Sequence, residues 1–288
     1  MKKEFKSAAA FKSSLEARMR GRAKERGVPL QTLQLKFVME RLLARLFQVP
    51  EPPWLLKGGF AMDLRYRPRA RTTKDVDLSV KLAATGRPKE LREKLQEAAE
   101  TDLGDYLSFR IGELKSELTN APEGGGRFPC EAVLLGKTYA KFHIDVGIGD
   151  ALVGEPEKLT GDDLLEFAGL PPAVVLAIPR AQQFAEKVHA YTFPWSGRVN
   201  TRTKDLVDLV LLVERGTLDA DGVRAALVAT FDARKTHSLP AHLLPPPDDW
   251  ALDFPSMAEE AGLSTSEYLA AYTSLSDYWE RNTLGKPT

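Results

Sequence analysis

The sequence predicts an α+β fold, with a strand-bearing core in its first half and a helical C-terminal domain. Three observations lead there. Short runs alternate apolar and polar residues between about residues 54 and 148, which is the period-two signature of strands. From about residue 180 onward, apolar residues recur every three or four positions, the period of an amphipathic helix. Proline and glycine clusters punctuate these runs, notably EPP at 51–53 and the prolines from Pro240 to Pro247, and mark where elements stop.

Residues 4–26 read as a strongly basic helix, broken at Pro29. Leu30, Leu33, Phe37, Leu42, Leu43, Leu46 and Phe47 form the stripe of a second helix, which EPP ends because proline cannot continue it. WLLKGG (54–59) reads as a short buried strand ending in two glycines, FAMDLRYR (60–67) as a helix, and VDLSVKL (76–82) as an alternating strand. A charged helix is expected over 88–100 and further strands over 108–114, 130–135 and 139–148. After about residue 155 the strand signal fades. Helices are expected over 180–191, 204–214, 219–231, 256–262 and 264–279, the last opened by a capping box of Ser264 and Glu267. The proline-rich stretch 239–249 reads as a linker or a rigid loop. In order along the chain this gives a basic helical segment (1–50), a core (51–155) and a helical C-terminal domain (156–288).

The chain has 288 residues, of which 43% are hydrophobic, enough to bury one large core or two modest ones. Lys plus Arg equals Asp plus Glu at 40 each, so net charge singles out no polyanionic partner. Its distribution says more: residues 1–45 hold twelve basic and four acidic residues, and residues 240–288 hold eight acids against Arg281 and Lys286. A basic front attracts polyphosphate or nucleic acid, or is simply a solvated helix face. The single cysteine, Cys130, permits no internal disulfide and fits a reducing cytoplasm. The opening MKKEFKSAAAFKSS lacks an apolar core of signal-peptide length, and the longest apolar run, 173–178, is far too short to span a bilayer. The expectation is a soluble cytoplasmic protein with no membrane partner.

Residues 55–80, LLKGGFAMDLRYRPRARTTKDVDLSV, carry the chemistry. They put Gly58 and Gly59 at the end of one strand and Asp75 and Asp77 at the start of the next. Residues two apart on a strand point to the same side, about 6.5 Å apart at Cα. Carboxylates held so close repel each other, and divalent cations relieve that repulsion. Hard oxygen ligands suit Mg²⁺, which also binds substrate phosphates; Mn²⁺ is the next choice. Gly58 and Gly59 let backbone N–H groups approach a triphosphate, and the following helix aims its N-terminus at the same anion. Arg71, Thr73 and Lys74 can add charge and donors.

A two-metal site calls for a third carboxylate on a neighbouring strand. Asp145 in KFHIDVGI supplies it, the alternative being an edge-strand acid ahead of Gly147. In the second half, Lys187 can neutralise a triphosphate as a point charge. Asp208 can act as a base or hold a nearby lysine, or it can form an ordinary helix pair with Lys204, four residues away.

Gly58–Gly59, Arg71-x-Thr73-x-Asp75-x-Asp77, Glu186–Lys187 and Arg202-x-Lys204-Asp205-x-x-Asp208 together resemble the AbiEii/MenT-type nucleotidyltransferase toxins, in order over roughly residues 54–215. The resemblance implies a polymerase-β-like nucleotidyltransferase core with a mixed sheet and a helical C-terminal domain. It implies the toxin of a toxin–antitoxin pair, opposed by a cognate antitoxin. Such a toxin transfers a nucleoside monophosphate, often a pyrimidine, from an NTP to the 3′ acceptor end of tRNA, and so blocks translation. By that resemblance Asp75 and Asp77 bind metal, Gly58, Gly59, Arg71 and Lys187 hold the NTP together with Lys204, and Asp208 is essential. The family's usual glycine-serine pair is glycine-glycine here, so any hydrogen bond from a serine hydroxyl at position 59 is absent.

Two rivals stand beside this reading. One is a nucleotidyltransferase that modifies a protein hydroxyl, an AMPylation-like activity. The other is a non-catalytic nucleic-acid-binding protein, supported by the basic front and by Trp54 and Tyr66. The sequence has no GxxxxGK[ST] phosphate loop, no HExxH and no paired CxxC. Its four histidines show no ligand spacing, and His189 reads as a packed structural residue. Trp250, Tyr268, Tyr272, Tyr278 and Trp279 are expected to pack the C-terminal helices.

Overall fold

The structure is a computed structural model and describes residues 5, 7–49, 51–68, 70–80, 88–118, 121–195 and 200–283. Lys2, Lys3, Lys6, Lys286 and the end of the strand expected over 76–82 lie outside these residues. In chain order the elements are α1 (Ala8–Arg26), α2 (Leu30–Leu46), β1 (Trp54–Lys57), α3 (Gly58–Tyr66), β2 (Asp75–Val80), α4 (Pro88–Ala99), β3 (Leu107–Ile111), β4 (Ser116–Glu117), β5 (Gly125–Leu134), β6 (Lys137–Ile148), β7 (Glu157–Thr160), β8 (Val174–Ala177), α5 (Arg180–Tyr191), α6 (Thr203–Arg215), α7 (Ala220–Arg234), α8 (Phe254–Ala261) and α9 (Tyr268–Asn282).

They form two compact units, interleaved along the chain. One comprises Met1–Leu56, Lys74–Ile148 and Lys158–Ala177; the other comprises Lys57–Thr73, Gly149–Glu157 and Ile178–Thr288. The sequence division at residues 50 and 155 describes order along the chain, whereas these units describe packing.

The first unit is built on a mixed sheet of order β3-β5-β6-β2-β1-β8-β7, with β4 added to β5. β2 runs parallel to β6 and β1 parallel to β8, while β5 runs antiparallel to β6. β7 and β8 appear where the sequence signal faded. Each is four residues long, too short for alternation to stand out, and β8 follows two prolines. On one face Val76, Leu78, Phe128, Ile144 and Val146 are fully buried. α2 lies against β6 and β8, and α4 against β3 and β5. The residues between these apolar ones point to the opposite face.

α1 starts at Ser7, whose side chain accepts from the Ala10 amide, and ends at Gly27 in the left-handed conformation, as helix caps favour. Phe11, Leu15, Met19 and Ala23, spaced by four, form its buried stripe. Much of the basic front is neutralised within this unit. Arg26 pairs with Asp162 at 2.6 Å and Arg22 reaches Asp162 and Asp163. Arg41 and Arg45 hold the buried Asp105 at 2.8 and 2.6 Å, and Arg18 lies over the Phe167 ring.

The second unit is helical. α6 sits at its centre, against α3, α5, α8 and α9. Leu206, Val207, Leu209, Val210, Leu211 and Leu212 are fully buried, which explains a helix that is apolar on nearly every side. Trp250 and Trp279 are buried in this core, with Tyr268, Tyr272 and Tyr278 packed at its margin, as the sequence suggested. The capping box does not form. α9 begins four residues later than expected, at Tyr268 with Glu267 as its cap, because the Ser264 amide and hydroxyl are taken by Glu214.

His189 is buried in this unit. Its Nδ1 lies 3.3 Å from Arg234 Nη1 and its Nε2 2.7 Å from Thr236 Oγ1. Arginine can only donate, so Nδ1 accepts and the ring is neutral, its Nε2–H donating to Thr236. Burial, followed by the charge of Arg234 and by His237, pushes its pKa from 6.5 to about 3. A histidine depressed on folding contributes stability in full above its unfolded pKa and loses it as pH falls toward the folded value. The unfolding free energy from urea titration is therefore expected to drop between pH 7.5 and pH 5, by up to roughly 1.4 kcal/mol per pH unit below 6.5 from this group. His189→Gln should flatten that decline. Parallel declines in the two proteins would exclude His189 as the cause.

Candidate active site

Strand register builds a row of charged groups on the sheet face opposite the apolar one. β2 and β6 pair Asp77 with Asp145 and Asp75 with His143, and β5 and β6 pair Arg127 with Asp145. Arg127, Asp145 and Asp77 thus lie side by side on three adjacent strands, with Asp75 two residues along from Asp77. The three sequence-predicted acids of this unit are brought together.

Their electrostatics include a residue the sequence did not single out. Arg127 grips Asp145 with a two-pronged fork, Nε to Oδ1 at 2.7 Å and Nη2 to Oδ2 at 2.6 Å, and reaches Asp75 at 3.6 Å. His143 Nδ1 lies 3.5 Å from Asp75 Oδ1. Donating these hydrogen bonds to Asp145 raises the guanidinium's proton affinity further. Carboxylate oxygens from adjacent strands on one face fit a hard divalent cation. Asp145, however, spends both oxygens on Arg127. Among the described residues no three or more His, Cys, Asp or Glu side chains converge as a ready-made cluster.

The second unit gathers the other set. α3 begins directly at Gly58, earlier than the sequence suggested, with no side-chain cap on its first turn. Gly58 adopts φ +64°, a conformation glycine tolerates without cost, and the Gln183 side chain donates to its carbonyl at 2.7 Å. Gly59 packs so closely that a Cβ there would meet Thr73 Oγ1 at 3.0 Å and Arg71 Nη2 at 3.2 Å. The glycine that replaces the family's serine is thus fitted to Arg71 and Thr73.

Asp208 is fully buried. It receives Arg71 through Nε at 3.0 Å and Nη2 at 2.7 Å, and Lys187 Nζ at 2.7 Å. Lys187 also donates to the buried Asp205 at 2.9 Å, which Arg202 contacts from the preceding turn. Burial alone would lower the Lys187 pKa, but Asp205 and Asp208 raise it above its ordinary value. Burial would raise that of Asp208, but Lys187 and Arg71 hold it below the usual carboxylate range. An acid so held is a poor base; the geometry matches the option that it holds a lysine. The ordinary helix pair with Lys204 does not form; Lys204 keeps an exposed surface, yet desolvation of its ammonium and the positive charge of Arg202 lower its pKa, with Asp205, Lys187 and Arg71 also within electrostatic reach.

Sequence reasoning missed a second buried group in this unit. Lys57 contacts Asp150 and lies 3.4 Å from Glu186, while Arg234 reaches Asp150 at 2.9 Å and Glu186 at 3.4 Å. Burial opposes the charge on Lys57, yet Asp150 and Glu186 raise its pKa. Lys57 immediately precedes the glycine pair and Glu186 immediately precedes Lys187, so the group braces both. No local pattern could have found it, because Lys57 and Asp150 are 93 residues apart. Trp54, named in support of the nucleic-acid-binding rival, is buried, which removes that support.

Residues 41–279 match the family described as the nucleotidyl transferase AbiEii toxin of type IV toxin–antitoxin systems, and the chain belongs to that family. It is accordingly a transferase enzyme of the toxin class, in a family whose chemistry consumes an NTP and whose members are opposed by an antitoxin. Among solved structures it is similar to MenT4, a nucleotidyltransferase toxin from Mycobacterium tuberculosis H37Rv. That likeness has 15% identity and a TM-score of 0.60, and covers 95% of this chain and 90% of that one; it concerns the fold. A comparison with curated proteins found no match. Among the described residues no helix is long and apolar enough to cross a membrane.

Proposed function

We propose that the protein transfers a nucleoside monophosphate, with a pyrimidine preferred, from an NTP to the 3′ acceptor end of tRNA, and so blocks translation in the cytoplasm. The observation that carries this reading is the register of Asp75, Asp77 and Asp145 on one sheet face, in a chain of this family. These three acids would hold Mg²⁺ or Mn²⁺, which when bound supplies Lewis-acid stabilisation of charge on the phosphate oxygens.

The chain's own residues supply the rest. Gly58 and Gly59 present the uncapped first turn of α3, whose N–H groups and dipole suit a phosphate. Arg71, with Thr73 beside it, and Lys187 offset negative charge on the leaving phosphates, and Lys204 is available at the exposed start of α6. Asp208 and Asp205 fix Lys187 and Arg71, so these cations are aimed before the nucleotide arrives. The acceptor hydroxyl oxygen loses its proton to solvent and forms a bond to the α-phosphorus, the bond to the β-phosphate oxygen breaks, and pyrophosphate departs. The basic residues outside the internal ion pairs, Lys24 among them, would add sequence-independent attraction for tRNA.

The test is incubation of the purified protein with Mg²⁺ and each α-labelled NTP in turn, in the presence of tRNA, total RNA or total protein. Label is expected at the tRNA 3′ end, dependent on divalent cation and strongest with CTP or UTP. Label on protein instead would replace the acceptor with a protein hydroxyl. No label on any acceptor would refute the transferase reading of this site.

A further inference from the structure

Three carboxylates lie on one patch of sheet, which a folded protein tolerates only with compensating charge. Asp145 is mostly buried, with 13% of its side chain exposed, and both of its oxygens are engaged by Arg127, which is 35% exposed. The same guanidinium leans toward Asp75 at 3.6 Å. The backbone of Arg127 is fixed on both sides, opposite Asp145 on β6 and opposite Ser116 on β4. Its long side chain can therefore swing outward without disturbing the sheet. A planar fork matches a carboxylate in a way an ammonium does not, and a partly exposed pair is readily exchanged.

We propose that Arg127 is an internal stand-in for a divalent cation: its guanidinium neutralises Asp145 and Asp75 in the metal-free protein and must release Asp145 for a metal ion to bind there. This rests on the reading of Asp75, Asp77 and Asp145 as metal ligands. Metal binding becomes an exchange of one cation for another, so the protein stays folded without metal and binds it more weakly than the carboxylates alone would.

The experiment is calorimetric titration of Mn²⁺, without nucleotide, into the full chain as wild type, Arg127→Gln and Arg127→Lys. Arg127→Gln should bind about tenfold more tightly, equivalent to about 1.4 kcal/mol. Its thermal midpoint should be lower than wild type without Mn²⁺ and should rise more on its addition. Arg127→Lys, which cannot engage both oxygens with one planar fork, should fall between; it decides the matter if the glutamine variant does not fold. Equal affinity in wild type and variants overturns the stand-in and leaves the metal reading intact. Weaker binding in the variants overturns it too, since Arg127 would then be part of the bound site. Absence of Mn²⁺ binding in all three proteins overturns the metal reading of the acids, and the stand-in with it.

Discussion

Exchanging Asp77 for asparagine is expected to lower nucleotidyl transfer by roughly 10³-fold while leaving the fold intact. A metal ion's stabilisation of transition-state charge is worth several kcal/mol, and each 1.36 kcal/mol is about tenfold in rate; a loss of about 4 kcal/mol gives that figure. Asp77 lies between Val76 and Leu78, whose buried side chains hold the strand from the opposite face, so the exchange removes a charge without opening a cavity. It relieves repulsion from Asp75 and Asp145 and gives up attraction to Arg127, so the urea midpoint should change little. The check is the initial rate of label incorporation from the preferred NTP with saturating Mn²⁺. A rate within tenfold of wild type would remove Asp77 from the metal site.

The second large effect is on stability as well as activity. Lys187→Met should destabilise the protein by about 3 kcal/mol, the lower end of the range for breaking a buried ion pair from one side. Asp205 and Asp208 are both fully buried, but each keeps a cation, Arg202 and Arg71 respectively, which is why the lower end applies. Adding Asp208→Asn to Lys187→Met should cost less than the sum of the single changes, because the two residues contact each other. Urea unfolding of the four proteins measures this coupling. Strict additivity would mean that the 2.7 Å contact contributes nothing.

Much of this architecture is legible in local pattern. α5 begins and ends where helical periodicity placed it, because Pro179 and the buried positions of one face leave little freedom. Asp75 and Asp77 stand out because two acids two residues apart in an apolar strand need an explanation. β7 and β8 were not visible. The run 173–178, which contains β8, served only to exclude a membrane span, since four apolar residues fit a strand or a helix equally well. β5 begins earlier than expected, at Gly125 rather than Cys130, because glycines and Pro129 look like a turn. That stretch hides Arg127, whose significance depends on a register with residue 145 that only the sheet provides. The Lys57–Asp150–Glu186–Arg234 group was hidden for the same reason: ion pairs over long separations leave no periodic trace.

The interleaving of the two units has a consequence for synthesis on the ribosome. Arg71 and Asp208 are 137 residues apart, an interval that takes about 7 to 27 s to translate at about 5–20 residues per second. Throughout that time the fork from Arg71 to Asp208 cannot exist, and α3 has no α6 to pack against. A message broken anywhere upstream of codon 208 therefore yields a chain without the lysine-holding cluster rather than a partly active enzyme. The nascent chain thus lacks its lysine-holding cluster until residue 208 has emerged.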